Sequence, residues 1–185
     1  MLIGITGTPG TGKTTVSGIL STSFGYRIIN LNDLIKEKEL HCGVDTKRDC
    51  LIADIEHIHD SLIELIDENT KCGETVLVES HMSHYITDTV IVLRASPDIL
   101  KKRLQTRNYS PEKIEENVEA EALDVILAES VQYCKSVFEV NTTYMRPEEI
   151  AEYINHIIKA IKNGKEDDLD GFRPGNIDWS EDFFK

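Results

Sequence analysis

The 185-residue sequence has no apolar run approaching the ~18 residues that a membrane-crossing helix needs, which argues against a membrane span. Basic charge is scarce: 20 Lys plus Arg stand against 33 Asp plus Glu, a net charge of −13. Such a surface repels a phosphate backbone, so a DNA partner or a generic RNA binder is not expected. Cysteines are few (Cys42, Cys50, Cys72 and Cys134) and none forms a C-x-x-C pair. A disulfide framework or zinc knuckle is therefore unexpected, and reduced thiols in a cytoplasmic protein are the simpler reading. The opening residues Met1-Leu2-Ile3-Gly4-Ile5-Thr6 run straight into apolar sequence without a basic leader, which argues against secretion. No internal repeat is present. An Asn-Lys-x-Asp guanine-reading motif is also missing, so a GTPase is not expected.

What is present reads as one α/β domain. Hydrophobic residues make up 40% and charged residues 29%, an ordinary globular balance. Apolar, β-rich runs at 2–6, 27–30, 75–79, 89–93 and 136–140 alternate with helical spacing, a pattern that predicts a parallel sheet wrapped by crossover helices. Ile55, Ile58, Leu62 and Leu65 recur at three and four residues, as do Ile150, Ile154, Ile157 and Ile161. Ile114, Val118, Ala122 and Val125 follow the same rule and predict one continuous helix. Ser96-Pro97 and Ser110-Pro111 each read as an N-cap followed by proline at the first helical position.

Gly7-Thr8-Pro9-Gly10-Thr11-Gly12-Lys13-Thr14 matches G-x-x-x-x-G-K-[ST] completely, with Thr15 next, an apolar strand before it and a helix after it. Each residue type serves the chemistry of a polyphosphate. Glycines such as Gly10 and Gly12 let the backbone turn its N–H groups onto the anion while side chains stay clear. The helix N-terminus adds positive potential at the same point. Lys13 is expected to reach the β- and γ-phosphates, and the Thr14 hydroxyl to sit on Mg²⁺. ATP binding is the expectation.

Beyond the loop, the sequence resembles the adenylate kinase isoenzyme 6 family, small adenylate kinases that also act as ATPases in small ribosomal subunit assembly. The likeness runs from Met1 to about Ile161 and rests on several segments. These are the phosphate loop with its proline, Asn30-Leu31-Asn32-Asp33-Leu34, Gly43-Val44-Asp45 leading to Asp49-Cys50, and Arg103-Leu104-Gln105-Thr106-Arg107-Asn108-Tyr109. The acidic run Glu115-Glu116-Asn117 with Glu119-Ala120-Glu121 also fits. Two positions depart from the family pattern. Its Asp-Tyr-His segment is Glu79-Ser80-His81 here, and Lys36 stands where an arginine is expected, a point charge in place of a two-pronged donor.

The resemblance implies a nucleoside monophosphate kinase-like P-loop fold with a five-stranded parallel sheet. One kinase domain would span about 1–164, with a monophosphate-binding insertion at about 30–53 and a lid at about 106–116. It implies transfer from Mg·ATP to AMP giving two ADP, with accompanying ATP hydrolysis. It also implies a part in rRNA maturation beside a basic small-subunit ribosomal protein, in the cytoplasm or, in a eukaryote, the nucleus. Lys13, Arg107 and His81 become candidate catalytic residues. Gly10, Gly12, Lys13, Thr14, Thr15 and Arg107 would bind ATP. Asp33, Lys36 and Arg103 would bind the acceptor, and Thr14 and Glu79, the latter through water, would serve Mg²⁺.

Plainer readings stand beside several of these. Asp33 also fits a first-turn acid, Arg103 a helix-face salt bridge, His81 a loop-packing residue and Arg107 a solvated surface residue. Arg94, at the end of a buried strand, fits a structural ion pair. Two other functions use the same core: an assembly ATPase whose kinase activity is incidental, and a small-metabolite kinase. The last stretch, 165–185, carries seven acids and three bases, yet also Phe172, Trp179, Phe183 and Phe184. It reads either as aromatic packing onto the domain or as an acidic docking tail.

Overall fold

The computed structural model describes residues 1–45, 50–69, 73–107 and 109–179. The readings that touch Asp49, Cys72, Asn108, Phe183 and Phe184, and the side chain of Cys50, lie outside the described residues. In chain order the elements are β1 (Leu2–Thr6), α1 (Lys13–Phe24), β2 (Arg27–Asn30), α2 (Leu31–Glu37), β3 (His41–Asp45), β4 (Cys50–Ala53) and α3 (Ile55–Asn69). They continue with β5 (Val76–Glu79), β6 (Thr89–Arg94), α4 (Pro97–Gln105), α5 (Pro111–Ala122), α6 (Val125–Tyr133), β7 (Ser136–Asn141) and α7 (Pro147–Lys162).

Five strands pair in parallel in the order β2-β5-β1-β6-β7, while β3 and β4 form a separate antiparallel pair. This is the expected five-stranded parallel α/β architecture. Period-two alternation explains its three layers. Ile3 and Ile5 of β1, Leu77 of β5, Ile91 and Leu93 of β6 and Phe138 of β7 pack with α1 and α7. The intervening residues, Val76 and Val78 of β5 and Ile29 of β2, pack with α2 and α3. Val90, Val92 and Val137 meet Leu127 of α6. Each fully buried Ile or Leu contributes roughly 1.5–3 kcal/mol, so both faces of the sheet are hydrophobically driven.

The chain leaves β1 towards β2, and the β5-to-β6 connection steps back across it. In a parallel sheet that reversal opens a crevice at the strands' carboxyl ends.

Local expectations were met unevenly. Ser110 caps α5, its hydroxyl accepting the Lys113 N–H at 3.2 Å. Ser96 stands at the N-cap of α4 with Pro97 first in the helix, but its side chain makes no cap bond; its own N–H donates to the Thr143 hydroxyl at 3.0 Å. The expected continuous helix through Val125 is two helices, broken at Asp124, whose φ is +55°. Asp124 is turned so that its carboxylate reaches the Arg94 guanidinium, and that contact overrides the helical spacing.

After α7 the chain turns back on the domain. Leu169 is completely buried, and the Phe172 ring lies 5.7 Å from Tyr153 and 6.3 Å from His156 of α7. The N–H groups of Asn176 and Ile177 donate to Glu139 Oε1 at 2.7 and 3.0 Å.

Candidate active site

Two features of the β1–α1 loop prepare it for an anion. Gly7 has φ +132°, and a Cβ there would stand 2.3 Å from the Leu93 carbonyl oxygen, so no side chain fits. Gly12 caps α1 at φ +100° with no side-chain bond to the helix, and a Cβ there would meet nothing within 4 Å. The first turn of α1 holds no acid. The N-terminus of α1 therefore carries no acid of its own, and space is open beside it at Gly12.

Lys13 is 8% exposed and folds back over the loop, its Nζ donating to the Gly7 carbonyl at 2.6 Å and the Thr8 carbonyl at 3.1 Å. Burial lowers its pKa from 10.5 to about 8; Glu79 and Glu121 oppose that fall, and the Arg107 cation adds to it. At neutral pH the ammonium is still charged, weakly solvated and held only by carbonyls that a phosphate would outcompete.

Glu79, at the carboxyl end of β5, is 4% exposed. Its two oxygens accept from the Thr14 hydroxyl at 3.1 Å and the Asn30 side-chain amide at 2.6 Å. The extra methylene relative to aspartate thus still delivers the carboxylate to Thr14. One carboxylate and one hydroxyl beside a phosphate loop are hard oxygen donors, the set that suits Mg²⁺ held largely by water and phosphate. Among the described residues no group of three or more His, Cys, Asp and Glu side chains forms a separate metal cluster.

Two cavities meet at the loop. The first, about 570 Å³, runs between α4 and the start of α7 and is lined by Thr15, Ile99, Arg103, Arg107, Met145 and Pro147 among others. The second, about 750 Å³, lies over Lys13, Thr14 and Glu79 and is walled by Asn32, His81 and the outer face of α5. Gly10, Gly12, Thr15 and Arg107 line both.

The candidate residues divide accordingly. Gly10, Gly12, Lys13, Thr14, Thr15, Glu79, His81 and Arg107 come together around the loop. Arg103 lines the first cavity, and its guanidinium donates to Thr142 O at 2.7 Å, Thr143 O at 3.2 Å and the Thr142 hydroxyl at 3.3 Å, loop partners in place of a helix-face acid. Asp33 and Lys36 are exposed on α2 and line neither cavity. The Asp33 N–H donates to the Asn30 carbonyl of the side chain at 3.1 Å, a helix cap.

His81 is exposed where it lines the second cavity. Desolvation first, then the Lys13 charge and then His84, lower its pKa, so the imidazole is neutral at pH 7. His84 is buried, with Nε2 3.2 Å from Glu129, and belongs to the wall behind β1.

Sequence reading passed over Asn30, Asn32 and Glu121. Glu121 had a visible signal: it falls on the buried stripe of α5 with Ile114, Val118 and Ala122, an acid in the apolar phase. Asn30 and Asn32 lie in a segment that carries the family resemblance but gained no role from it, since only the sheet order brings β2 beside β5.

Residues 3–124 match the AAA domain family. A protein named "Putative adenylate kinase" from Methanosarcina acetivorans is 52% identical over 181 residues, covering 97% of both chains. Its namesake from Methanocaldococcus jannaschii is 40% identical over 185 residues, 100% of this chain and 96% of its own. Among solved structures, shikimate kinase from Bacteroides thetaiotaomicron superposes with a TM-score of 0.57 at 19% identity, covering 86% of this chain and 98% of its own. Deoxyadenosine kinase from M. mycoides gives 0.52 at 17% identity, covering 87% and 100%. At such identity these two speak to the fold alone.

Sheet order, phosphate loop and the Thr14–Glu79 pair define the P-loop kinase fold. Within that class the chain belongs to the archaeal adenylate kinase family represented by the Methanosarcina and Methanocaldococcus proteins.

Proposed function

We propose that the protein is an adenylate kinase that transfers the terminal phosphoryl group of ATP to AMP, giving two ADP. The observation that carries this reading is the meeting of two cavities at one phosphate loop, with Arg107 on both. A donor in the first cavity and an acceptor in the second would bring their phosphates together over Gly12 and Lys13.

In this mechanism an oxygen of the AMP phosphate attacks the γ-phosphorus in line. The new P–O bond forms as the bond to the β-phosphate oxygen breaks, and that electron pair leaves on ADP. The attacking oxygen is already anionic, so positioning and charge stabilisation do the catalysis and no strong base is required. Loop N–H groups and Lys13 hold the β- and γ-phosphates, Lys13 exchanging its two carbonyl partners for them. Thr14 and Glu79, the latter through water, would hold Mg²⁺, which would neutralise phosphate charge when bound. Arg107 donates to the equatorial oxygens of the group in transit as the segment before α5 closes. Neutral His81, on the second cavity's wall, orients the acceptor phosphate or a water.

A second activity, ATP hydrolysis, is favoured by one observation. Lys36 stands outside the second cavity, so α2 supplies no cation to an acceptor phosphate there and a water can take the acceptor's place. We also infer a cytoplasmic role in small ribosomal subunit maturation beside a basic ribosomal protein, a reading supported by the net charge of −13.

The deciding experiment measures ATP turnover alone and with AMP, CMP, UMP or GMP. Stimulation by AMP with stoichiometric ADP supports the kinase. Turnover indifferent to AMP rejects it in favour of the ATPase.

A further inference from the structure

Away from the reacting groups, the most heavily bonded buried side chain is Arg94, at the carboxyl end of β6 and 1% exposed. Its Nε donates to Glu121 Oε1 at 2.9 Å and its Nη1 to Glu139 Oε2 at 3.2 Å, and a third contact joins it to Asp124. Glu121 is 2% exposed and fully engaged. The Ala95 N–H donates to Oε1 at 3.0 Å, and the Thr8 hydroxyl donates to Oε2 at 2.5 Å.

Thr8 is itself a phosphate-loop residue, and its carbonyl is one of the two that hold Lys13. The same carbonyl accepts from the Thr11 hydroxyl at 2.9 Å. Glu121 therefore bonds the loop at the residue whose peptide carries the reactive lysine in its resting position. It also lies on the inner face of α5, whose outer face supplies Lys113, Glu116, Asn117 and Ala120 to the second cavity.

Burying a charged pair gains little stability over apolar packing of equal volume. Here the pair ties together two elements that must keep register: the loop under the donor phosphates and the helix walling the acceptor side. That arrangement has a use in positioning which a greasy contact between mobile elements would not supply.

We propose that Glu121, held by Arg94, is a positioning residue for phosphoryl transfer, fixing the phosphate loop through the Thr8 hydroxyl and locking it to the acceptor wall carried by α5. The proposal rests on the kinase reading above.

The test contrasts Thr8→Val, which keeps the shape and removes the donor, with Thr8→Ser, which keeps the donor. With the kinetics expressed per folded enzyme, Thr8→Val is expected to lower kcat for ADP formation about tenfold, the effect of one lost buried hydrogen bond to a charged acceptor. KM for ATP and AMP should move less than about threefold, and Thr8→Ser should stay within about threefold of wild type. Wild-type kcat in Thr8→Val with only a lower Tm would reduce the contact to fold stability and overturn the proposal. So would equal losses in both variants.

Should Thr8→Val not fold, Glu121→Gln replaces it. The amide oxygen can keep Arg94 while the Thr8 hydroxyl turns to accept from the amide N–H, so a neutral bond replaces the charge-assisted one and kcat should fall at least about threefold. An unchanged kcat again overturns the proposal. Failure of the kinase reading looks different: wild type would ignore AMP, and the same Val-to-Ser contrast would then be read on ATP hydrolysis with the same expectation.

Discussion

Raising the pH from 7 to 9.5 should disarm the phosphate loop while making the fold more stable. Lys13 has its pKa lowered to about 8 because its ammonium is buried against the Gly7 and Thr8 carbonyls. With that pKa, roughly nine-tenths of the free enzyme carries a charged Lys13 at pH 7 and only about 3% at pH 9.5. An ordinary lysine would lose about a tenth of its charge over the same range. Since kcat/KM reports the free enzyme, kcat/KM for ATP should fall about thirtyfold, whereas kcat should change far less because bound phosphates retain the proton.

The stability effect has the opposite sign. A lysine with a folded pKa below its unfolded value binds fewer protons in the native state between about 8 and 10.5, so unfolding free energy rises with pH across that window. The full difference is about 3 kcal/mol. It is isolated by subtracting denaturant curves of Lys13→Met from those of the wild type at each pH. Initial rates at subsaturating ATP, where the nucleotide's own phosphates are already ionised, supply the other arm. A kcat/KM that is flat to pH 9.5, or identical pH dependence of stability in both proteins, would refute the argument.

Other expectations follow from the same contacts. Arg107→Ala should lower kcat more than it raises KM for AMP, with Arg107→Lys recovering only part, and should move the Lys13-linked basic limb to higher pH by removing a neighbouring cation; steady-state kinetics against pH checks both. Glu79→Gln should raise the Mg²⁺ concentration for half-maximal rate about tenfold with little change in Tm, because the amide can still bond Thr14 but carries no charge; a Mg²⁺ titration decides. Arg94→Met should destabilise by about 3–5 kcal/mol, since Glu121 and Glu139 are left buried without their cation; a loss under 1 kcal/mol would contradict the ion-pair role.

The legible part of this protein was the part written locally. Strand, phosphate loop and helix are contiguous from Leu2 to Phe24, so a backbone fitted to phosphate leaves its whole signature in one short stretch. The sheet strands and the stripes of α3 and α7 were equally readable, because burial on one face imposes its period on the residues themselves. Where a side chain answers to a distant partner, that logic fails. Asp33 sits in a promising motif but stands exposed in the first turn of α2, while Asn30, three residues earlier, reaches across to Glu79, a neighbour only because β2 pairs with β5.

The break at Asp124 shows tertiary structure overriding a good local pattern. The spacing from Ile114 to Val125 suits one helix, yet a buried guanidinium draws the Asp124 carboxylate and turns its backbone. Arg94 is joined to Glu121 across 27 residues and to Glu139 across 45, and Glu121 meets Thr8 across 113. No local spacing encodes such distances. The sequence by itself determined that a polyphosphate would be bound at Gly7 to Thr14, since glycine freedom, a lysine and a helix N-terminus suffice for that. Which carboxylate faces Thr14, which arginine touches both cavities and which acid holds the loop were decided only when the parallel sheet brought the carboxyl ends of β1, β5 and β6 together, because desolvation and hydrogen-bond geometry act on neighbours in space.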